Sequence, residues 1–250
     1  MTGTLYLIPN TLGPGDAGAA DPLAALIPTE VQVLAARLDC FIAENTKTTR
    51  AFLKLIALQH PLARPLQEIE IAELNVNTAE AALPQLLQPL LAGRDAGLIS
   101  EAGVPAVADP GANLVRLAHA RGIRVRPLVG PSSLLLAVMA SGLNGQSFAF
   151  NGYLPIDAAQ RAKQIKLLEE RSRKEKQTQL FIETPYRNGA LLETLAATCQ
   201  PGTLVCAATD LSLESESIAT QAAGAWKKQL AAGKAPDLHK RPTVFLLLGQ

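Results

Sequence analysis

Four short stretches of this sequence gather residue types that folding alone does not explain: "IPNTLGPGD" (8–16), "AENTKTTR" (43–50), "SEAGVPAVADPG" (100–111) and "VGPSS" (129–133). In the third, Ser100 and Glu101 leave an apolar run, Gly103 and Pro105 force an irregular path, and Asp109 precedes a Pro-Gly turn. That path leaves backbone N–H and C=O groups outside any regular ladder, and each one buried without a partner costs about 1–3 kcal/mol. A ligand with amide-like edges would pair them; the bland alternative is a long connecting loop satisfied by water. In the first stretch, Pro9, Gly13, Pro14 and Gly15 predict a tight turn whose backbone can approach a ligand closely. The second sets Glu44, Lys47 and Arg50 around Asn45 and three threonines. A helix cap at Asn45 or Thr46 accounts for one of these polar residues, not for the set.

Other chemistries lack their residues. There is no GxxxxGK[ST] loop, no GxGxxG opening a helix after a strand, no GxSxG elbow and no HExxH. The cysteines are Cys40, Cys199 and Cys206, an odd number without CxxC spacing, and the three histidines, His60, His119 and His239, do not join them in any ligand pattern. Neither disulfides nor a metal site is expected. Hydrophobic residues make up 48% of the 250, yet no apolar run reaches membrane-spanning length and Met1 to Pro9 has neither a basic start nor a cleavage site. The expectation is a soluble, cytoplasmic protein that does not enter a membrane.

The net charge of +1 hides a mild tilt, −2 over residues 1–127 and +3 over 128–250. Most of it comes from "RAKQIKLLEERSRKEK" (161–176), by default a solvated helix face and otherwise a contact surface for an anionic partner.

These stretches need a frame, and the pattern supplies one. Short apolar runs at 4–8, 40–43, 68–71, 96–100 and 123–128 alternate with helical patterns at 48–58, 78–93 and 112–122, which predicts a mainly parallel sheet with crossover helices. The stretch 129–142, a helix with Ser132 or Ser133 as its N-cap and Gly142 as its stop, opens a second unit with strands at 147–151, 178–183, 202–208 and 243–249 and helices at 157–176 and 186–198. The fold class is α/β, as two α/β domains over 1–127 and 128–250, the second with more room for antiparallel pairing. Open α/β sheets bind ligands at the carboxyl ends of their strands, where the four stretches fall.

In order along the chain, "GTLYLIP", "AENTKTTR", "LISEAGVPAVADPG", "VRPLVGPSS", "FNGYLP" and "FIETPYR" resemble the tetrapyrrole methylase superfamily of S-adenosylmethionine-dependent methyltransferases. Within it they are most similar to the ribosomal RNA small subunit methyltransferase I group. The resemblance implies two α/β domains with a cofactor cleft between them, and a homodimer. It implies that S-adenosylmethionine is held by Pro9, by Ser100, Glu101, Ala102, Gly103, Val104, Pro105, Val107 and Asp109, and by the turn at Gly130, Pro131, Ser132 and Ser133. Departures touch the substrate side more than the cofactor side. Asn45 stands where the family has aspartate, Lys47 where arginine is usual, Glu101 for aspartate, Val104 for threonine and Tyr186 for histidine, and the sequence ends at Gln250 before the C-terminal segment of the ribosomal RNA group.

Transfer of a methyl group from a sulfonium is an in-line displacement, governed by alignment. If the acceptor is a ribose 2′-hydroxyl of RNA, Glu44 would accept its proton, Lys47 and Arg50 would hold a phosphate, and Arg187 would add a second anion contact. A cap or a salt bridge is the structural alternative for Glu44 and Arg187. Two other readings stand beside an RNA methyltransferase: a small-molecule or tetrapyrrole methyltransferase of the same fold, and a cofactor-binding module without catalysis. An aromatic content of 4% counts against RNA.

Overall fold

The computed structural model describes residues 1–13 and 23–250. Pro14, Gly15 and the small-residue loop expected over 13–22 therefore lie outside the described residues, Gly13 excepted. The chain forms two compact units, Met1–Ser132 and Ser133–Gln250.

In the first unit five strands, β1 (Thr4–Ile8), β2 (Cys40–Ala43), β3 (Glu70–Glu73), β4 (Ala96–Ile99) and β5 (Arg124–Pro127), pair in parallel in the order β3-β2-β4-β1-β5. Between them run α1 (Thr29–Arg37), α2 (Thr46–Ile56), the short α3 (Leu83–Leu86) and α4 (Gln88–Leu91), and α5 (Ala112–Ala120). A parallel strand covered on both faces reads as a continuous apolar run, and every residue of β2 and β4 is buried. Alternation divides their side chains. Phe41, Ala43, Ile8 and Ile99 meet Ala35, Phe52, Leu53 and Ile56 of α1 and α2. Cys40, Ile42, Leu5 and Leu98 meet Leu83, Leu87, Leu90, Leu114 and Ala118 on the other face. Gly97 is glycine because a Cβ there would stand 2.5 Å from Ile8 Cδ1.

This order places a topological switch at the centre. β1 and β4 are neighbours, yet the chain leaves β1 for β2 on one side and leaves β4 for β5 on the other. The connections leave the two strands in opposite directions, and the carboxyl ends of such a pair are where open α/β sheets place their ligands.

In the second unit α6 (Ser133–Ser141) is followed by β6 (Phe148–Tyr153), α7 (Ala158–Glu175), β7 (Thr178–Ile182), α8 (Asn188–Thr198), β8 (Leu204–Thr209), β9 (Ser217–Ala222), α9 (Ala223–Ala231) and β10 (Thr243–Leu248). The sheet order is β6-β7-β10-β8-β9, with β6 and β7 parallel and the remaining pairs antiparallel. Its core joins Phe181, Phe245 and Leu247 to Ile165, Leu191, Leu195 and Trp226, whose indole donates to the Val205 carbonyl at 2.9 Å.

Several elements differ from expectation. The third strand lies at Glu70–Glu73 rather than 68–71, because a 3-10 turn at Leu66–Glu68 follows Pro65. The helix expected over 78–93 breaks into α3 and α4, since Pro84 and Pro89 each remove a backbone donor and suit only a first turn. The helix expected over 48–58 starts at Thr46, where Asn45 accepts the Lys47 and Thr48 amides. α1, β9 and α9 had no sequence expectation. "SIATQA" of β9 is a partly exposed edge strand with few apolar residues, and α1 and α9 are only nine residues long.

Candidate functional site

The loop after β1 and the loop after β4 are sewn together by Asn10. Its side chain, almost wholly buried, donates to the carbonyls of Ser100 at 3.2 Å and Glu101 at 3.0 Å and accepts the Thr11 amide at 2.8 Å. Its backbone N–H donates to the Gly103 carbonyl at 2.8 Å, and the Gly103 N–H reaches Thr11 O at 3.3 Å. The sequence leaves the backbone of this loop without regular partners; at Gly103 the protein itself supplies them. Glycine is required for another reason. Gly103 has φ +66°, and a Cβ would meet Leu12 at 3.2 Å and approach the Pro131 carbonyl at 3.6 Å. Asn10 and Thr11 were not among the expected site residues, although a polar pair directly after a strand-ending proline is a legible signal.

Beyond Gly103 the loop stays irregular. Ala106 and Ala108 also adopt left-handed backbone, at φ 66° and 64°. Pro105 is buried, Val104 half-buried, and Ala102 and Val107 exposed. From the β5 side, Gly130 lies flat on Pro9: a Cβ there would fall 2.3 Å from the proline ring. Pro9, Gly103, Gly130 and Pro131 thus converge at the switch point, with Ser132 and Ser133 half-buried as the chain enters α6.

Three carboxylates share this edge. The Glu44 N–H donates to Ile99 O at 3.1 Å, and its Oε2 accepts the Glu101 N–H at 3.0 Å, so β2 and the β4 loop hold one another. Burial pushes the Asp109 carboxyl up to about 6, the charges of Glu44 and Glu101 push the same way, and the buried Ser100 hydroxyl pulls against them. Among the described residues no group of three or more His, Cys, Asp or Glu is arranged to hold a metal ion.

Beside Glu44, α2 presents Lys47, Arg50 and Lys54, all exposed, at i, i+3 and i+7 on one flank. They line a groove of about 650 Å³ with Asn45, Thr46, Leu66, Gln67 and Glu73. Thr46 donates to Glu73 at 3.2 Å, whereas none of the three cations is in an ion pair among the described residues. Lys54 was not among the expected site residues, though its helical spacing from Lys47 could have found it.

Arg187, the last expected site residue, belongs to the second unit. Its Nη2 donates to the buried Glu183 at 2.6 Å, a bond that raises the guanidinium pKa further. Of the basic residues in 161–176, Arg161 is buried against Thr194 and the Ile156 carbonyl, and Arg171 pairs with Glu175.

The chain from residue 12 to 225 matches the family described as Tetrapyrrole (Corrin/Porphyrin) Methylases. It belongs to that family. A tetrapyrrole methylase of this kind is similar to the ribosomal RNA small subunit methyltransferase I of Pseudomonas aeruginosa, with 34% identity over 78% of this chain and 60% of that protein. The protein of the same name from Escherichia coli O157:H7 is 30% identical over 91% of this chain and 73% of its own length. The chain spans about three fifths of the length of the Pseudomonas aeruginosa and Xylella fastidiosa relatives. In fold it is similar to the methyltransferase CobJ, at TM-score 0.58 and 19% identity over 98% of this chain and 93% of that one. It is also similar to cobalt precorrin-4 methyltransferase, at TM-score 0.55 and 16% identity over 98% and 94%. The tetrapyrrole methylase fold was thus legible in six motifs. No helix among the described residues is long and apolar enough to cross a membrane.

Proposed function

We propose that this chain is an S-adenosylmethionine-dependent methyltransferase that acts on RNA, with a ribose 2′-hydroxyl as the acceptor. The RNA half rests on one observation, the groove beside the Glu44 turn where Lys47, Arg50 and Lys54 project without an ion pair among the described residues, although Glu73 also lines it. The names of the ribosomal RNA relatives point the same way.

The switch-point residues suit the cofactor in charge and in shape. S-adenosylmethionine carries two positive groups against one carboxylate, and Glu44, Glu101 and Asp109 supply negative charge on that edge. Pro9, Gly130 and Pro131 form one wall, and the loop from Ser100 through Asp109 another, shaped by Gly103 and Pro105. When bound, the cofactor supplies an electrophilic methyl group on a sulfonium.

The chain's own residues do the rest by alignment and proton transfer. Lys47 and Arg50 hold a phosphate of the acceptor strand, which fixes the ribose. Glu44, oriented by the Glu101 amide on Oε2, accepts the hydroxyl proton through its other oxygen. Arg187, preset by Glu183, offers a second anion contact. A homodimer is part of this proposal, and light scattering at micromolar protein should return twice the chain mass.

The test is incubation with methyl-labelled S-adenosylmethionine and RNA from a strain lacking the protein. Label in one RNA species is expected; label confined to a small molecule would refute the RNA substrate.

A further inference from the structure

At one end of the second sheet, beyond the carboxyl ends of β6 and β7, the chain exposes two tyrosine rings. Tyr153 ends β6 and is 58% exposed; Tyr186 follows β7 and is 69% exposed. Because β6 and β7 run parallel, with Tyr153 opposite Ile182, both residues lie at the same end of the sheet. β10 runs against β7 with Val244 opposite Ile182, so the segment just before β10 returns there too.

That segment lies against Tyr186 without burying it. The His239 ring stands edge-on at 5.7 Å with an interplanar angle of 73°, and the Lys240 ammonium lies 6.0 Å from the ring centroid. The Lys240 N–H donates to Pro185 O at 3.1 Å, and the side chain of wholly buried Asn188 donates to Arg241 O at 2.7 Å. Lys240 adopts φ 60°, a left-handed backbone that costs a side-chain-bearing residue energy. The cations are anchored as well: Arg187 on Glu183 at 2.6 Å and Arg241 on Asp210 at 2.7 Å. An exposed aromatic ring with Lys240 over it and Arg187 anchored one residue away in the chain is poorly explained by core packing, since it buries little apolar surface. It suits a ligand with a flat π-face and a negatively charged backbone.

We propose that this end of the sheet is a stacking platform for an unpaired base of RNA, with Tyr186 beneath the base and Lys240 and Arg187 at the flanking phosphates. The inference rests on the RNA reading above and names a second place where the strand is gripped. The low aromatic content of the sequence does not oppose it, because two of the three tyrosines are at this one end.

The test uses the full chain and short unstructured oligoribonucleotides, with an abasic oligomer of equal charge as control. Tyr186→Ala should bind the base-bearing oligomer about tenfold or more weakly than the unmodified chain, with Tyr186→Phe close to unmodified. The slope of affinity against salt should stay unchanged in Tyr186→Ala and fall in Lys240→Gln. In Tyr186→Trp the introduced indole should be quenched by the base-bearing oligomer and not by the abasic one, over the constant emission of buried Trp226. Equal affinity of Tyr186→Ala and the unmodified chain would overturn the platform alone. Quenching by S-adenosylhomocysteine and not by the oligomer would assign the ring to the cofactor and overturn it too. Absence of any RNA binding by the unmodified chain would refute the RNA reading and the platform with it.

Discussion

The side-chain amide of Asn10 donates to the carbonyl of Glu101 at 3.0 Å, a bond between loops 91 residues apart in the chain. With the reciprocal backbone bonds between Asn10, Thr11 and Gly103, it makes the ends of β1 and β4 one unit at the switch point.

Asn10→Ala should therefore lower stability by about 1–3 kcal/mol, since the Ser100 and Glu101 carbonyls and the Thr11 amide lose a buried partner. Asn10→Asp should cost more, because a carboxylate would face two carbonyl oxygens. Urea unfolding measures both. Calorimetry should show weaker cofactor binding in each variant that still folds.

The glycines separate close approach from conformation. Gly130→Ala has no room beside Pro9 and should destabilise by about 1–3 kcal/mol and weaken cofactor binding. Gly122→Ala meets nothing within 4 Å, but φ +66° should still cost about 1 kcal/mol with cofactor affinity intact. Equal effects on cofactor affinity would count against a special role for the Gly130 turn.

Asp109 should leave a mark on the pH dependence. Its carboxyl is raised to about 6, while in an unfolded chain an aspartate titrates near 3.9, so between those values the native state binds the proton more tightly. The stability this contributes is present in full below about pH 4 and is lost as pH rises through about 6. Asp109→Asn should flatten that part of the stability curve, as read from denaturation midpoints across the range. A cationic cofactor favours the ionised form, so its affinity should rise through the same interval in the unmodified chain and less so in the variant.

The cationic groove predicts a change in salt dependence. Replacing Lys47, Arg50 and Lys54 with glutamine should weaken RNA binding and lower the salt slope by about 0.7 for each phosphate that is no longer neutralised. Cofactor affinity should not move. An unchanged slope would remove the groove from the RNA path.

The sequence exposes the parts of the fold governed by local pattern. The apolar runs of β2 and β4 read as buried parallel strands, and a cap reads at Asn45 or Thr46, of which the structure uses Asn45, because each signal is complete within a few residues. β9 escapes because a half-exposed edge strand carries little periodicity. In the site, residue types are legible but their pairing is not. The loop around Gly103 reads as backbone without regular partners, and nothing local reveals that Asn10 and Thr11, far off in sequence, pair the Gly103 N–H and C=O. Glu44 reads as functional or structural; its bond to the Glu101 amide shows a structural task that does not exhaust its two oxygens.

Transfer of a methyl group to a ribose hydroxyl of RNA is tested most directly by methyl-labelled S-adenosylmethionine incubated with RNA from a strain lacking the protein, followed by alkaline hydrolysis. Alkali cleaves RNA through the 2′-hydroxyl, so a 2′-O-methyl protects the adjoining bond. The expected result is label in an alkali-resistant dinucleotide from one RNA species, lost in Glu44→Gln and reduced when Lys47 and Arg50 are both replaced by glutamine. Label in mononucleotides would place the methyl on a base, and no label in RNA at all would contradict the proposed activity outright.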